Sequence, residues 1–415
     1  MEMDLFPWFQ PIVEVASGRV MGYEALARCY NDSGLAVSGA AALFSDDLQP
    51  QQRLELDRRV RRQALERFAA EAEDEQFLAI NLSPEWIDTL TLDDPLPTLD
   101  MILECGIDPS RIVVEITELD GDVEQISRLA QRYRDSGVKV AFDDFGAGFQ
   151  QLDRLLSFTP DIVKLDMRMF QDDRWTHQKS ALMQMVGDIG ARLGCKVVCE
   201  GVETEDEFML ALHCNASYIQ GYIFSPALER FMPPEAKHAR LQRLLGSHLD
   251  MAVNEMTQRQ WHSQRLQTDL LRLRDQLQSA SVEQALQNYL PDSGLLRLYI
   301  CDRSGTQISA NYRCVDGVWQ QDDRVVGHNW SWRPYFYQLV SCSDYDRAIL
   351  RSASYVDIET GQRCYTVSLA LDIRRILLVD LVEVRDDAGP MALLSDCQSG
   401  LMATPIEMLD STHMD

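Results

Sequence analysis

Lys139 to Gly148 reads KVAFDDFGAG. Val138, Val140 and Phe142 alternate with smaller or polar neighbours, and two adjacent carboxylates, Asp143 and Asp144, follow before a Gly-x-Gly turn. Side chains alternate along a strand, so neighbouring aspartates converge only where the strand ends and the backbone turns. Two carboxylates held that close repel unless a cation or a shared proton lies between them. Similar residues recur at the ends of other short apolar runs. Glu24 ends one and Asn81 the next; Glu115 and Glu118 follow a third; Lys164 and Asp166 close IVKLD; Glu200 and Glu203 close VVCEGVE; Gln220 lies in YIQGY. A single acid at a strand end is accounted for by helix capping. Six successive strands delivering acids, an amide and a lysine to one rim are harder to explain that way. An oxygen-only cluster with asparagine suits hard cations such as Mg2+ or Mn2+. His177 and His213 stand away from any strand end, which argues against a histidine-rich zinc site. A carboxylate bridging two ions, other acids holding each ion singly and a lysine beside the attacking water describe two-metal hydrolysis of a phosphodiester.

The elements that must position these groups follow one alternation through residues 1–240: a short apolar strand, a few polar residues, then a helical stretch. The strands are Phe9–Val15, Val20–Leu26, Phe77–Asn81, Ile112–Thr117, Val138–Asp143, Ile162–Asp166, Lys196–Glu200 and Tyr218–Ile223. Helical patterns fall at Leu54–Ala72, Gly121–Ser136 and Lys179–Leu193. This pattern predicts an α/β fold, a TIM-type (β/α)8 barrel whose strand C-termini share one functional face. Only Ala16–Arg19 separates the first two strands, too little for a helical crossover, so one of them runs antiparallel.

Composition bounds the setting. The 415 residues suffice for a barrel plus a smaller module, and 46% hydrophobic content supports packed cores. A formal net charge of −26, from 65 acids against 39 bases, opposes binding to nucleic-acid polymers or anionic membranes. A phosphate-ester substrate then needs a local reversal of sign, which bound divalent metal supplies. The ten cysteines are scattered singly, as in a reducing cytosol. MEMDLFPWFQPIVEV has no signal-peptide pattern and no apolar run approaches ~18 residues, so the expected location is cytoplasmic, without a membrane span.

The segments FQPIV, YEALAR, INLSP, VEITE, FDDFGAG, VKLD, CEGVE and IQGY occur in the order found in EAL-domain cyclic-di-GMP phosphodiesterases. The resemblance covers about residues 4–240 and rests on all eight motifs. It implies that Glu24, Asn81, Glu115 and Asp143 hold one metal ion, and that Asp143, Asp144 and Glu200 serve the second. It implies further that Lys164 orients the bridging water, that Gln220 orders its surroundings, and that Glu118 braces the loop after FDDFG. Arg28 would bind a substrate phosphate, with Gln10, Leu26, Glu203 and Pro226 also lining the substrate. The implied cofactors are two Mg2+ or Mn2+ ions, with Ca2+ inhibitory, and the implied product is linear pGpG. The chain departs from the family's commonest DDFGTG-Tyr-Ser-Ser loop at Ala147 and Phe149-Gln150-Gln151, and lacks the usual lysine before proline in IFSPAL. No GGDEF signature of the opposing cyclase is present.

From residue 241 the texture changes. Leu266, Leu270, Leu273 and Leu277 form a heptad seam within a connecting helix, residues 241–292, ended by Pro291 and Gly294. The seam either joins two copies or packs along its own domain. Residues 293–386 read as a small α/β sensor. In it LLRLYICDRSGTQIS forms two strands about Gly305, and Tyr365–Leu371 pairs with Ile376–Val384. The segment HNWSWRPYFYQLV, with Arg333 before a proline, loosely resembles Cache or PAS-like domains, where such a stretch borders a pocket for a small ligand. Trp330, Trp332 and Tyr335 serve equally well as core aromatics. Residues 387–415 form an acidic tail. Together these features imply a homodimeric, metal-dependent phosphodiesterase for cyclic di-GMP under the control of its C-terminal domain. The alternative is a receptor that binds the dinucleotide without cutting it.

Overall fold

In the computed structural model, the described residues are 5–31, 33–39, 48–82, 95–116, 123–143, 158–167, 185, 187–287, 289, 294–315 and 317–383. They divide between residues 250 and 251 into two compact units.

The first unit is a closed barrel. Its strands are β1 (Phe6–Glu14), β2 (Val20–Tyr30), β4 (Phe77–Asn81), β5 (Ile112–Ile116), β6 (Lys139–Phe142), β7 (Ile162–Asp166), β8 (Lys196–Glu200) and β9 (Tyr218–Ile219). A short β3 (Ala36–Ser38) pairs outside the ring with β2. β1 is the antiparallel strand, paired with β2 on one side and β9 on the other, while β2 and β4 to β9 run parallel. The β1–β2 turn is tight because Gly18 takes φ +71°, closing a bond from its N–H to the Glu14 carbonyl at 2.9 Å. Pro7 and Pro11 share the orientation of Phe9, toward the side on which only the far end of β1 meets β9. Their missing N–H groups therefore remove no ladder bond.

Period-two alternation builds two layers inside the ring. Ile12, Ala79, Val113, Ala141, Ile162, Val198 and Tyr218 form an apolar cluster, and the ring of Phe77 fills the space beside Gly22. Two residues nearer the mouth, each strand carries a polar side chain: Gln10, Glu24, Asn81, Glu115, Asp143, Lys164, Glu200 and Gln220. The outward-facing residues pack on helices α1 (Pro50–Glu71), α2 (Pro97–Glu104), α3 (Val123–Asp135) and α4 (Glu205–His213), with Leu65, Phe68, Leu129, Tyr133 and Phe208 buried in that shell. The last strand stops at Ile219 rather than Ile223. Gly221 sits at φ +157° against Val202, where a Cβ would lie 2.0 Å from the Val202 carbonyl oxygen.

The second unit holds an antiparallel sheet in the order β12-β11-β10-β16-β15-β13, with β14 beside β15. These strands are β10 (Leu295–Asp302), β11 (Asn311–Val315), β12 (Val318–Asp322), β13 (Ile349–Arg351), β14 (Tyr355–Val356), β15 (Arg363–Ala370) and β16 (Arg375–Val382). Helix α5 (His238–Ser279) ends before Pro291, and a separate α6 (Val282–Gln287) follows. Residues 306–309, expected to continue a hairpin, instead make isolated bridges to Cys301 and Asn329. The closing pair is β15 with β16, as the sequence indicates. Helix α7 (Pro334–Ser341) buries Tyr335, Phe336 and Leu339 against the other sheet face, whereas Trp332 is exposed.

The leucine seam is internal. Leu270, Leu273 and Leu277 are buried with Leu298, Val367, Leu377 and Val379, which decides between the two readings of that helix in favour of packing on its own domain. Leu273→Asp is therefore expected to destabilise the second unit by at least about 3–5 kcal/mol, through a lost apolar contact and a buried charge. Thermal melting checks this. An unchanged melt accompanied by a smaller particle in sedimentation would instead assign the seam to an interface between copies.

Candidate active site

The polar layer converges on one ammonium. Lys164 Nζ lies 2.8 Å from Glu115, 3.0 Å from Asp143, 3.0 Å from Glu200 and 3.7 Å from Glu24. Each carboxylate comes from a different strand or its end, so only closure of the barrel brings them together. Glu24 is also held by two amides: Asn81 Nδ2 donates to it at 3.1 Å and Gln220 Nε2 at 2.6 Å. Lys164 is 1% exposed and Glu115 1%.

Four carboxylates against one ammonium leave a formal excess of three negative charges in a closed space. Burial, together with the neighbouring acids, pushes Glu115 well above the usual carboxylate range despite the pull of Lys164. Burial raises Glu200 in the same way. Burial works against the charge of Lys164, but Glu115, Glu200, Glu24 and Asp143 outweigh it and hold the ammonium well above the ordinary lysine value. The site is thus short of positive charge.

Orphaned acceptors point the same way. Among the described residues, Glu115 Oε2 and Gln220 Oε1 are buried without a hydrogen-bond donor. Buried acceptors without donors are costly, and a divalent cation with oxygen ligands would satisfy them. Among the described residues no group of three or more His, Cys, Asp or Glu is placed to hold a metal ion, and Glu115, Asp143 and Glu200 instead lie within 3.0 Å of Lys164 Nζ. The donor set, oxygen only and over-charged, fits Mg2+ or Mn2+.

The other expected site residues are placed as follows. Gln10 pairs in register with Glu24, and its Nε2 donates to the Ser225 carbonyl at 3.4 Å, next to the exposed Pro226. Leu26 and Arg28 continue β2 toward the mouth, both half-buried, and burial lowers the Arg28 pKa. Asp166, opposite Glu200 in register, is half-buried. Glu203 is exposed and stands one residue before Thr204, the N-cap of α4. Its backbone N–H donates to Glu207 at 2.7 Å, and its carboxylate is not among the acids paired with Lys164. Asp144, Glu118 and the loop at 145–151 lie outside the described residues. The sequence reading stopped β2 at Leu26, yet the strand runs to Tyr30 and carries Arg28 and Tyr30 on the face of Glu24. Continued alternation through ALARCY is the signal that marks the extension.

The family model described as the EAL domain matches residues 2–227. The chain belongs to the EAL-domain family. A second model, described as an EAL-domain associated signalling protein domain, matches residues 229–384. The EAL-domain containing protein YkuI of Bacillus subtilis is 29% identical over 390 residues, 91% of this chain and 94% of YkuI. The crystal structure of YkuI in complex with substrate c-di-GMP and calcium matches with a TM-score of 0.81 at 26% identity, over 92% of this chain and 96% of that one. The cyclic di-GMP phosphodiesterase RocR of Pseudomonas aeruginosa is 31% identical over 151 residues, 36% of this chain and 38% of RocR. The EAL chain thus shares both halves with YkuI, and with RocR a stretch well under half of either protein.

Proposed function

We propose that this EAL protein is a divalent-metal-dependent phosphodiesterase that hydrolyses cyclic di-GMP to linear pGpG in the cytoplasm. The observation that carries the reading is the ring of four carboxylates around Lys164, on a chain whose relative YkuI is seen bound to substrate c-di-GMP and calcium. In this reading Glu24, Asn81, Glu115 and Asp143 would hold one ion, and Asp143, Asp144 and Glu200 would serve the other. Two bound Mg2+ or Mn2+ ions would supply an activated water at neutral pH and neutralise charge on the phosphate. Asn81 and Gln220 fix the rotamer of Glu24 through their bonds to its two oxygens. Lys164, charged and buried, keeps the carboxylates from repelling one another and presents its ammonium where negative charge builds up. Arg28 stands two positions beyond Leu26 on β2 and binds a substrate phosphate. A homodimer, with a small ligand at the second unit adjusting turnover, completes the proposal.

Incubation with cyclic di-GMP and Mg2+ or Mn2+ is expected to release pGpG, resolved by chromatography. Exhaustive chelation should abolish release and readdition of either ion should restore it. Ca2+ should compete without sustaining turnover, because its longer and looser coordination misplaces the reacting groups. Dinucleotide binding with no pGpG under any ion would make the protein a receptor instead. Undiminished activity after chelation would refute the metal-dependent scheme.

A further inference from the structure

The outer wall of the barrel carries an aromatic cleft that the acid ring does not use. β2 pairs with β4 only as far as Glu24, so residues 25–30 continue with β1 as a ribbon beyond the ring. At the free end of that ribbon the ring centroid of Phe6 lies 4.7 Å from that of Tyr30 and 6.3 Å from that of Trp8. Phe6 and Trp8 are half-buried, and Tyr30 is 62% exposed. With Pro7, these rings line one side of a cleft of about 270 Å³, and Glu66 and Arg67 of α1, together with Glu229, line the other. Alternation gives Pro7 the outward face of Phe9, and α1 packs outside the ring. The cleft therefore belongs to the outer wall rather than to the acid ring.

The charges around it decide what it can hold. Glu66 and Glu229 are exposed and enter no ion pair among the described residues. Arg67 is already engaged: its guanidinium lies 5.2 Å from the centroid of the Phe9 ring, its Nε is 3.3 Å from Glu71, and its Nη2 donates to the Glu229 carbonyl at 2.6 Å. Arg62, one turn before Glu66, pairs with Glu104 at 2.8 Å. The cleft is left with aromatic faces beside an excess of negative charge. Two carboxylates on a chain of net charge −26 repel a phosphate-bearing ligand and draw a cation. Ring faces carry the negative end of the aromatic quadrupole, and they attract a weakly hydrated cation such as a quaternary ammonium. A cleft of this size suits a small molecule.

We propose that this cleft binds a small organic ammonium ion, its charge set against Glu66 and Glu229 and its apolar surface against Phe6, Trp8 and Tyr30. Such binding does not depend on the phosphodiesterase reading above. Choline is the probe, titrated against the full chain with its N-methyl proton resonance as the signal. Saturating Mg2+ keeps the acid ring from competing for the cation. The same titration with 3,3-dimethylbutanol, in which carbon replaces the charged nitrogen, isolates the contribution of charge. Choline is expected to bind saturably and about tenfold more tightly than this neutral analogue. Tyr30→Ala should weaken choline about three- to tenfold, the scale of one lost cation–π contact, while Tyr30→Phe keeps the ring and the affinity. Replacing both Glu66 and Glu229 by glutamine should bring choline down to the level of the neutral analogue. Thermal melts confirm that these variants, all at exposed positions, remain folded. Equal affinity for choline and the neutral analogue in the wild type would make the cleft merely apolar and overturn the assignment. So would choline binding that none of these variants alters, which would place the cation elsewhere, or the absence of saturable choline binding.

Discussion

Glu24→Gln is expected to reduce pGpG release by roughly a hundred- to a thousandfold, the scale seen when a single preorganised electrostatic group is removed from a closed site. The carboxylate accepts from Asn81 Nδ2 and Gln220 Nε2 and lies 3.7 Å from Lys164 Nζ. A glutamine of the same shape has one accepting oxygen and turns an amide donor toward a second donor. It therefore loses a charged ligand and breaks the arrangement that fixes its neighbours. Asp143→Asn and Glu200→Ala remove charged partners of the same ammonium and should fall comparably. Binding of the dinucleotide should persist in all three, since Arg28 is retained. Chromatographic measurement of pGpG decides the matter, and a rate within tenfold of wild type in any of them would remove that residue from the catalytic set.

Lys164→Met is expected to be the most destabilising change in the barrel when metal is withheld. Methionine fills similar volume, but Glu24, Glu115, Asp143 and Glu200 would then crowd together with no counter-charge. Removing one partner of a buried ion pair typically costs about 3–5 kcal/mol. For a unit of this size that lowers the melting temperature by roughly 10 °C. Saturating Mg2+ should recover much of the loss, because a divalent cation replaces the missing positive charge, while turnover stays low. Melting curves in chelator and in Mg2+ provide the comparison. Equal melting temperatures for variant and wild type in chelator would show that the ammonium does not hold the acid ring together.

How much of this was legible beforehand follows from the range over which each signal acts. Period-two alternation is local, so the strands carrying Glu24, Asn81, Glu115, Lys164 and Glu200 could be drawn from the chain alone. The four-residue turn at Ala16–Arg19 likewise requires that one of the first two strands run antiparallel, and the barrel makes it β1. The residue types at the strand ends suggest oxygen-ligand chemistry and argue against a histidine-rich site. What sequence order does not encode is which side chains meet when eight strands close. Convergence of four acids on Lys164, and the clamping of Glu24 by amides from β4 and the end of β9, exist only in the closed ring. Glu203 had the same local appearance as Glu200, yet it stands just past the strand, where the chain turns into α4, and is left exposed. The leucine seam was ambiguous for the same reason. A heptad records that one helix face must be covered, and Leu298, Val367 and Val379 of the second unit's sheet cover it here. The chain by itself thus determined the elements, their order and the chemistry available at their ends. Tertiary structure decided which of those groups share one desolvated space, because burial and charge proximity arise between residues far apart in sequence.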